Sequence, residues 1–274
     1  MDKTKFSVAM SVYKNDNAEH FARALRSITE EQTVKPDEIV LVVDGPVGDD
    51  VNAVIEDFSS KCGIFKVIRL EQNGGLGNAL KLAVENASFE LIARMDSDDV
   101  SVPDRFEQQI KFMTENDVDI LGGNISEFID EEGNVVAHRN VPLTNDEIYE
   151  YLKVRCPLNH VSVMFKKNAV IAAGNYIDQY CNEDYYLWIR MAENKAIMAN
   201  TGTVLVNVRV GKDMYNRRGG RKYFKSEKAL QKYMRRKKII SFATYLSNVT
   251  KRFIVQVLLP NRLRGWVFKK FARK

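Results

Sequence analysis

The sequence is poor in cysteine and contains no long hydrophobic run. Its three cysteines, Cys62, Cys156 and Cys181, form neither a disulfide framework nor a Cys-x-x-Cys metal site, which favours a reducing compartment. No apolar stretch approaches the roughly 18 residues needed to span a bilayer. The N-terminus opens onto a strand-like run without the apolar segment of a signal peptide. We therefore expect a cytoplasmic protein.

An acidic and a basic part share the chain, although the formal net charge is only +5. Residues 209–274 contain 21 Lys and Arg against two acids, a net charge of +19, whereas residues 1–208 carry a net charge of −14. The two parts therefore meet different partners. An apolar content of 45% over 274 residues is enough for the core of one large α/β domain or two small ones.

Short apolar runs alternate with helical patterns through the first hundred residues. The runs predicted to be strands span residues 6–13, 38–43, 65–70 and 91–95. This alternation predicts an α/β fold with a Rossmann-like, mostly parallel central sheet and helices on both faces. Ligands of such sheets bind beyond the carboxyl ends of the strands, so the residues that follow the strands should share one rim. These residues are Ser11 to Tyr13, Asp44, Asn73 to Asn78 and Asp96 to Asp99.

Three carboxylates follow the fourth predicted strand, within Asp96-Ser97-Asp98-Asp99. In an extended backbone, residues two apart point to the same side, so Asp96 and Asp98 can face one bound object. The repulsion between two such carboxylates is relieved by a cation with oxygen ligands, such as Mg²⁺ or Mn²⁺. The alternative is an Asx turn leading into the helix that begins near Pro103.

A glycine-rich loop, Asn73-Gly74-Gly75-Leu76-Gly77, opens the third predicted helix. Free backbone N–H groups at a helix start suit an anionic or polar ligand. The loop is neither Gly-x-Gly-x-x-Gly nor a P-loop, because the spacings differ and no Gly-Lys-Ser/Thr follows. It is either a ligand loop or an ordinary glycine-rich connection.

The second half of the chain predicts a mixed sheet. A hairpin is expected across residues 130–134, and residues 161–165 form a further β-like run. His160, just before that run, is more simply a hydrogen-bonded structural histidine than a catalytic one. Glu183 and Asp184 open a half-buried helix, where acids favour the dipole. They are either capping residues or catalytic carboxylates aimed at the same cleft.

Basic residues dominate the end of the chain. Arg217 and Arg218 lie in a short glycine-containing loop, and arginine forks match phosphate oxygens. We predict a catalytic domain over residues 1–221 and a basic amphipathic helical extension over residues 222–274 that lies on an anionic membrane surface. The apolar residues of this extension are Phe253, Ile254, Val257, Leu258, Trp266, Phe268 and Phe271. The alternative is that these residues pack back on the domain.

Short motifs occur in a fixed order across residues 6–221. They are Ser11-Val12-Tyr13, Val43-Asp44-Gly45, Asn73-x-Gly75-Leu76, Asp96-Ser97-Asp98, Pro103-Asp104-Arg105, Glu183-Asp184 and Arg217-Arg218-Gly219-Gly220. Their order and spacing resemble family 2 glycosyltransferases of bacterial polysaccharide assembly. The resemblance implies a GT-A fold and inverting transfer of a sugar from a nucleotide diphosphate donor, usually a UDP-sugar, with a divalent cation.

The resemblance assigns most of the motif residues to the nucleotide-sugar donor. Those that would bind it are Ser11, Val12 and Tyr13 at the nucleobase, Asp44 at the uracil, Gly75 and Asn78 along the nucleoside, Asp96 at the ribose, and Arg217 and Arg218 over the diphosphate.

The remaining roles that the resemblance implies concern the metal and the acceptor. Asp98 would be the main ligand of Mn²⁺ or Mg²⁺, with Asp96 beside it. Asp184 would be the catalytic base, and Glu183 would help to place the acceptor. Inversion in one displacement needs a carboxylate that takes the proton of the acceptor hydroxyl.

Two features of the processive members of the family are missing. The chain has neither the Gln-x-x-Arg-Trp segment of cellulose- and hyaluronan-type synthases nor their transmembrane helices, so we expect one sugar to be transferred per encounter. The basic tail resembles those of enzymes that act at the cytoplasmic leaflet on a polyprenyl-diphosphate-linked saccharide. The implied location is therefore peripheral, on the inner face of the cell membrane.

Two other functions fit part of the pattern. A nucleotidyltransferase that makes nucleotide sugars also uses a parallel sheet and carboxylate-bound Mg²⁺, but its usual Gly-x-Gly-Thr-Arg loop is replaced here by Lys14-Asn15-Asp16. A non-enzymatic lipid- or nucleic-acid-binding module would explain the basic tail. That module leaves the acidic cleft of residues 1–208 without a purpose, so we do not expect nucleic acid as a partner.

Overall fold

The computed structural model describes residues 4–211 and 219–260, and the first half of the chain alternates strands with helices as predicted. The elements of this half are β1 (Phe6–Val12), α1 (Ala18–Ile28), β2 (Glu38–Val43), α2 (Asp49–Lys61), β3 (Phe65–Arg69), α3 (Leu76–Asn86) and β4 (Leu91–Met95). Helix α1 begins where the Asn17 side chain accepts a hydrogen bond from the His20 N–H, which is the capping chemistry that asparagine favours.

The second half is less regular. Its strands are β5 (Val100–Ser101), β6 (Ile120–Phe128), β7 (Val135–Arg139), β8 (Met164–Lys166) and β9 (Met198–Arg209). Its helices are α4 (Arg105–Asn116), α5 (Asn145–Leu152), α6 (Lys167–Ala172), α7 (Glu183–Glu193), α8 (Gly220–Arg236) and α9 (Phe242–Phe253), with a π-helical turn (Ile254–Leu258) after α9. The predicted hairpin is confirmed, because β6 and β7 pair antiparallel on either side of residues 130–134.

The described strands form one sheet of nine strands in the order β3-β2-β1-β4-β8-β6-β9-β5, with β7 beside β6. Strands β1 to β4 are parallel, as the alternation predicted. Strand β8 runs antiparallel to both β4 and β6, while β9 runs parallel to β6. The α/β fold with a parallel first half and a mixed second half is therefore confirmed.

The prediction of a strand over residues 161–165 was wrong for its first part. Residues His160–Ser162 form a 3₁₀ turn, and the strand begins only at Met164. The Ser162 hydroxyl accepts a hydrogen bond from the Gly123 N–H and donates to the Asn159 carbonyl at 2.8 Å. A side chain that bonds nearby backbone in this way competes with a strand ladder.

Apolar side chains cover both faces of the sheet. Along β2, Val40 and Val42 belong to one buried cluster, whereas Ile39 and Leu41 belong to the other. This alternation follows from the two-residue period of a strand. Helices α1, α2 and α4 cover one face, and α3, α7 and α8 cover the other. The predicted layering, with helices on both faces, is confirmed.

The two C-terminal helices pack on the preceding chain. Leu230 and Met234 of α8 are almost fully buried in the cluster that contains α3 and α7. In α9, the Asn248 side chain donates to the Lys153 carbonyl at 2.9 Å, and Arg252 pairs with Glu227 of α8. The division at residue 221 stays a prediction, but α8 shares its core with the earlier residues.

An apolar stripe remains exposed on the outer side of α9 and the π-helical turn. Its members are Phe242, Leu246, Phe253, Ile254 and Leu258, which are 41–62% exposed. Within residues 4–211 and 219–260, none of the helices has the length and apolar character that a bilayer-crossing segment requires. Trp266, Phe268 and Phe271, predicted to extend this apolar surface, lie outside the described residues.

Candidate active site

Asp44, at the carboxyl end of β2, stabilises the glycine loop by hydrogen bonds. Its carboxylate is 5% exposed and accepts hydrogen bonds from the Gly74 N–H at 2.6 Å, the Gly75 N–H at 3.0 Å and the Asn73 amide at 2.9 Å. Gly75 has φ +86°, a conformation that favours glycine. Asn78 completes the loop by donating to the Gly74 carbonyl at 2.7 Å. Asp44, Gly75 and Asn78 therefore share one rim, as expected for a common binding surface.

The end of β1 contributes to the same rim. Ser11 is half-buried and Tyr13 is 36% exposed, whereas Val12 is 1% exposed with its side chain in the core. The Val12 carbonyl accepts the Asp44 N–H at 2.8 Å, which ties the two strand ends together. Of the three residues predicted at the nucleobase, Ser11 and Tyr13 are therefore the ones whose side chains reach the rim.

The carboxylates after β4 form a cluster. Oxygen atoms of Asp96, Asp98 and Asp99 all lie within 4.8 Å of one another. Asp98 is exposed, Asp96 is half-buried, and Asp99 is 3% exposed and accepts the Arg209 N–H of β9 at 2.8 Å. Asp96 and Asp98 were predicted to face one object, and they do lie together. Asp99 was not predicted as a ligand, because a two-residue period places it on the opposite side of the strand.

Asp16, in the loop after β1, is a further carboxylate that the sequence did not single out. It accepts hydrogen bonds from the Tyr13 N–H at 3.0 Å and from the Ser97 hydroxyl at 2.9 Å. Burial raises the pKa of Asp16, and the charge of Asp96 acts in the same direction. Asp16 therefore adds negative potential to the cluster after β4. The signal available in the sequence was its place just beyond a strand end.

The electrostatics of the cluster match a divalent cation. Loss of solvent raises the pKa of Asp98 to about 6, and the charges of Asp96 and Asp16 contribute to the rise. Burial and the charges of Asp98 and Asp96 likewise raise the pKa of Asp99. Because Asp98 is exposed, a cation could reach its carboxylate and would relieve the repulsion among Asp96, Asp98 and Asp99. Carboxylate oxygens are the ligands preferred by Mg²⁺ and Mn²⁺.

A buried arginine lies beneath the cluster. Arg94 of β4 is 2% exposed, donates to Asp96 at 2.6 Å and forms an ion pair with it. Arg94 therefore fixes the direction of the Asp96 carboxylate and offsets part of its charge. Nearby, His160 shares a hydrogen bond of 2.9 Å with the Tyr176 hydroxyl and packs edge-on against Trp188. Burial holds the pKa of His160 well below its ordinary value, which supports the structural role predicted for it.

Helix α4 braces β4 through a second buried arginine. Arg105 donates to the Arg94 carbonyl at 2.7 Å and to Gln109 at 3.0 Å, and burial lowers its pKa to about 9. The Gln109 amide in turn donates to the Leu121 carbonyl at 3.1 Å and the Ser162 carbonyl at 2.9 Å. These side chains connect β4, β6 and the 3₁₀ turn across the short strand β8.

Glu183 and Asp184 lie at the start of α7, beside the glycine loop. A Cβ atom on Gly77 would lie 3.4 Å from the Glu183 Cβ, so the starts of α3 and α7 are in close contact. Burial raises the pKa of Glu183 to about 7, with the charge of Asp184 as the next contribution. The Cys156 thiol donates to the Asp184 carboxylate at 3.7 Å, a contact that the sequence did not predict.

Charge also connects the two groups of carboxylates. Arg94 and Asp96, at the end of β4, both act electrostatically on Glu183. The residues predicted for the donor and those predicted for the acceptor therefore lie close enough for their charges to interact. Arg217 and Arg218, predicted over the diphosphate, lie outside the described residues. The nearest described residue before them with a contact in the site is Arg209, through its bond to Asp99.

A mostly parallel sheet with a glycine loop and an acid cluster that could hold a cation at its carboxyl rim, and with a second carboxylate pair nearby, fits the class of nucleotide-sugar-dependent transferases of the GT-A fold. The chain belongs to glycosyl transferase family 2, whose sequence model matches residues 7–176. It is a glycosyltransferase, and the nucleotidyltransferase and non-enzymatic hypotheses are set aside.

Relatives match along nearly the whole chain. An uncharacterized glycosyltransferase of Haemophilus influenzae is 40% identical over 98% of this chain and 100% of its own length. The Escherichia coli UDP-Gal:alpha-D-GlcNAc-diphosphoundecaprenol beta-1,3-galactosyltransferase is 38% identical over 100% of this chain and 98% of its own. The amylovoran biosynthesis glycosyltransferase AmsE of Erwinia amylovora is 36% identical over 97% of this chain and 98% of its own length. The relation to polysaccharide biosynthesis enzymes is therefore confirmed.

Solved structures confirm the GT-A fold. Residues 1–349 of S. aureus TarS in complex with UDP-GlcNAc superpose with a TM-score of 0.67 at 17% identity, covering 97% of this chain and 76% of TarS 1–349. The mannosyltransferase PcManGT of Pyrobaculum calidifontis, in complex with GDP-Man and Mn²⁺, superposes with a TM-score of 0.62 at 14% identity. The match covers 95% of this chain and 71% of PcManGT. Enzymes of this fold typically depend on a divalent metal.

Proposed function

We propose that this glycosyltransferase moves one sugar, with inversion, from a UDP-sugar to a saccharide linked to a polyprenyl diphosphate. The observation that carries the proposal is the proximity of the Asp96–Asp99 cluster, the start of α3 and Glu183, seen in the close approach of Gly77 to Glu183 and in the effect of the Asp96 charge on Glu183. The name of the E. coli relative, which specifies a UDP-sugar donor and a diphosphoundecaprenol-linked acceptor, supports the same choice of substrates.

On the donor side, the glycine loop and the strand ends would hold the nucleoside. Asp44 already accepts three hydrogen bonds from the loop, two at Oδ2 and one at Oδ1, so Oδ1 keeps one lone pair that would accept from a uracil N–H. Asp98 and Asp96 would hold Mn²⁺ or Mg²⁺, which supplies charge neutralisation for the departing diphosphate. Arg217 and Arg218 would add guanidinium donors to the same phosphates.

On the acceptor side, Asp184 would act as the general base. Burial and the charge of Asp184 raise the pKa of Glu183 to about 7, so Glu183 takes up a proton more readily than an ordinary glutamate. The Asp184 carboxylate would take the proton of the acceptor hydroxyl. The hydroxyl oxygen would then bond to the anomeric carbon of the donor sugar while the bond between that carbon and UDP breaks. Protonated Glu183 can donate a hydrogen bond that orients the acceptor.

The exposed apolar stripe supports a peripheral location on the cytoplasmic face of the membrane. Phe242 and Leu246 lie one helical turn apart on α9 and are 62% and 54% exposed. The basic sequence of residues 261–274 follows directly and suits anionic headgroups. An acceptor with a polyprenyl chain is held in the bilayer, so an enzyme attached to the same surface would meet it there.

A panel of UDP-sugars, incubated with Mn²⁺ and with saccharides on polyprenyl diphosphate in liposomes, tests the proposal. We expect one UDP-sugar to yield UDP and a lipid product extended by one sugar of inverted anomeric configuration, detected by mass spectrometry and NMR. Retained configuration, or transfer only from a donor other than a UDP-sugar, would contradict it.

A further inference from the structure

A buried serine of α8 holds the segment that leads into α7. Ser226 is 6% exposed, and its hydroxyl donates to the Tyr180 carbonyl at 2.8 Å. The same oxygen accepts hydrogen bonds from the Gln179 amide at 2.9 Å and the Asn182 amide at 3.1 Å. A serine hydroxyl has one donor and two acceptor positions, so all of them are used within residues 179–182.

This segment is the immediate support of the acceptor-side carboxylates. Asn182 precedes Glu183 and Asp184, and its side chain makes no cap hydrogen bond to α7. Cys181 has φ +54°, a strained conformation for a residue with a side chain, so neighbouring contacts must hold the backbone there. The bonds from Ser226 lie on both sides of Cys181 and supply that restraint.

The opposite side of the segment rests on the donor site. The Ile177 carbonyl lies 3.3 Å from the position of a Cβ on Gly77, at the start of α3. Residues 177–182 are therefore held between the helix that opens from the glycine loop and the C-terminal helix α8. A displacement of Ser226 would release one side of this support.

The C-terminal helices reach Asp184 by a second route. Arg252 of α9 donates to the Val154 carbonyl at 2.7 Å, and Asn248 donates to the Lys153 carbonyl. These two carbonyls lie just before Cys156, whose thiol donates to Asp184. Helix α8 thus supports the segment that precedes Asp184, and α9 supports the segment whose Cys156 thiol contacts it.

We propose that Ser226 is a positioning residue for Glu183 and Asp184, which makes the C-terminal helices part of the catalytic unit. This role rests on the proposed function of Asp184 as the base. Ser226 does not touch the substrates. It sets the direction in which the start of α7 presents its carboxylates, and misplacement of a reacting group by about 1 Å can cost a hundredfold in rate.

The test compares Ser226→Ala with Ser241→Ala. Ser241 caps α9 by accepting the Thr244 N–H at 3.0 Å, and its hydroxyl shares a second hydrogen bond with the Thr244 hydroxyl in the same turn. Both variants lose serine hydrogen bonds in the C-terminal helices. We expect S226A to lower kcat for transfer at least tenfold, with the Kd for UDP and the rate of donor hydrolysis in water within twofold of wild type. S241A should change only the melting temperature.

Two further variants keep the test decisive if S226A folds poorly. Gln179→Ala removes one of the same hydrogen bonds from a half-buried position, and S226A/Q179A should cost less than the product of the two single effects, since both variants remove the bond between these two side chains. Ser226→Thr keeps the hydroxyl and should recover most of the rate.

The outcomes separate this role from the proposed function. A wild-type protein that transfers no sugar from any UDP-sugar would overturn both. An active wild type in which S226A and Q179A retain full kcat, or in which their effects multiply as independent changes, would overturn the positioning role alone.

Discussion

Replacing Asp98 by Asn should stabilise the metal-free protein and abolish its stabilisation by Mn²⁺. The pKa of Asp98 rises from its ordinary 3.8 to about 6, first because surrounding atoms displace part of the water around its carboxylate and then through the charges of Asp96 and Asp16. At 1.36 kcal/mol for each tenfold change in proton affinity, this rise corresponds to at most about 3 kcal/mol. Because Asp98 is exposed, solvent screening reduces the gain expected from D98N to roughly 1 kcal/mol.

Thermal unfolding measures both effects. A gain of 1 kcal/mol raises the melting temperature by about 2–4 °C in a protein of this size. Mn²⁺ at a hundred times its Kd should stabilise wild type by about 2.7 kcal/mol, whereas D98N should gain far less, so the order of the two proteins reverses when Mn²⁺ is added. Asp57→Asn, which removes an exposed carboxylate paired with Lys61 on α2, is the control and should show neither effect.

The free energy of unfolding should depend on pH with a definite sign. Since the pKa of Asp98 is higher in the folded state than in the unfolded state, the folded protein takes up the proton first as the pH falls. The ionised group therefore costs stability above about pH 6, and the cost disappears as the pH falls through 6 towards 4. The advantage of D98N should shrink over that range. An equal Mn²⁺ response in both proteins, or a metal-free D98N less stable than wild type, would refute the assignment of a cation to this cluster.

Three other changes test the remaining parts of the site. Asp184→Asn should abolish transfer while isothermal titration shows a Kd for UDP within twofold of wild type; near-normal turnover would mean that another group is the base. Gly75→Ala places a side chain at φ +86°, costs about 1–2 kcal/mol of stability and should weaken UDP binding, and unchanged UDP affinity would remove the glycine loop from the donor site. Phe242→Ser with Leu246→Ser should reduce sedimentation with phosphatidylglycerol vesicles while donor hydrolysis in solution persists, and undiminished binding would contradict membrane attachment through α9.

Local signals in the sequence predicted the first half of the fold well. Strand β2 was predicted and observed at residues 38–43, because all six residues are buried and the five from Ile39 to Val43 form a continuous apolar run. The place of β8 between β4 and β6 could not be read from the sequence, since strand partners are chosen by contacts far apart along the chain.

In the candidate site, too, residues in local motifs could be predicted, whereas residues brought in by distant contacts could not. Asp96, Asp98 and Asp184 were recognisable because each occurs in a motif at a strand or helix end. Asp16 and Ser226 occur in ordinary polar surroundings in the sequence, and only folding brings them to the carboxylates they affect. A local pattern contains no signal for contacts of this kind, such as the 2.9 Å bond between Ser97 and Asp16.

The shortness of β8 affects how firmly the two halves of the sheet are joined. Only three residue pairs connect it to β4 and two connect it to β6, so the sheet has a weak join between its parallel and mixed halves. Arg105 and Gln109 of α4 supply the missing hydrogen bonds from their side chains. Helix α4 therefore acts as a clamp between the two halves of the sheet, and it fixes the position of β4, which carries the Asp96–Asp99 cluster at its end, relative to β6.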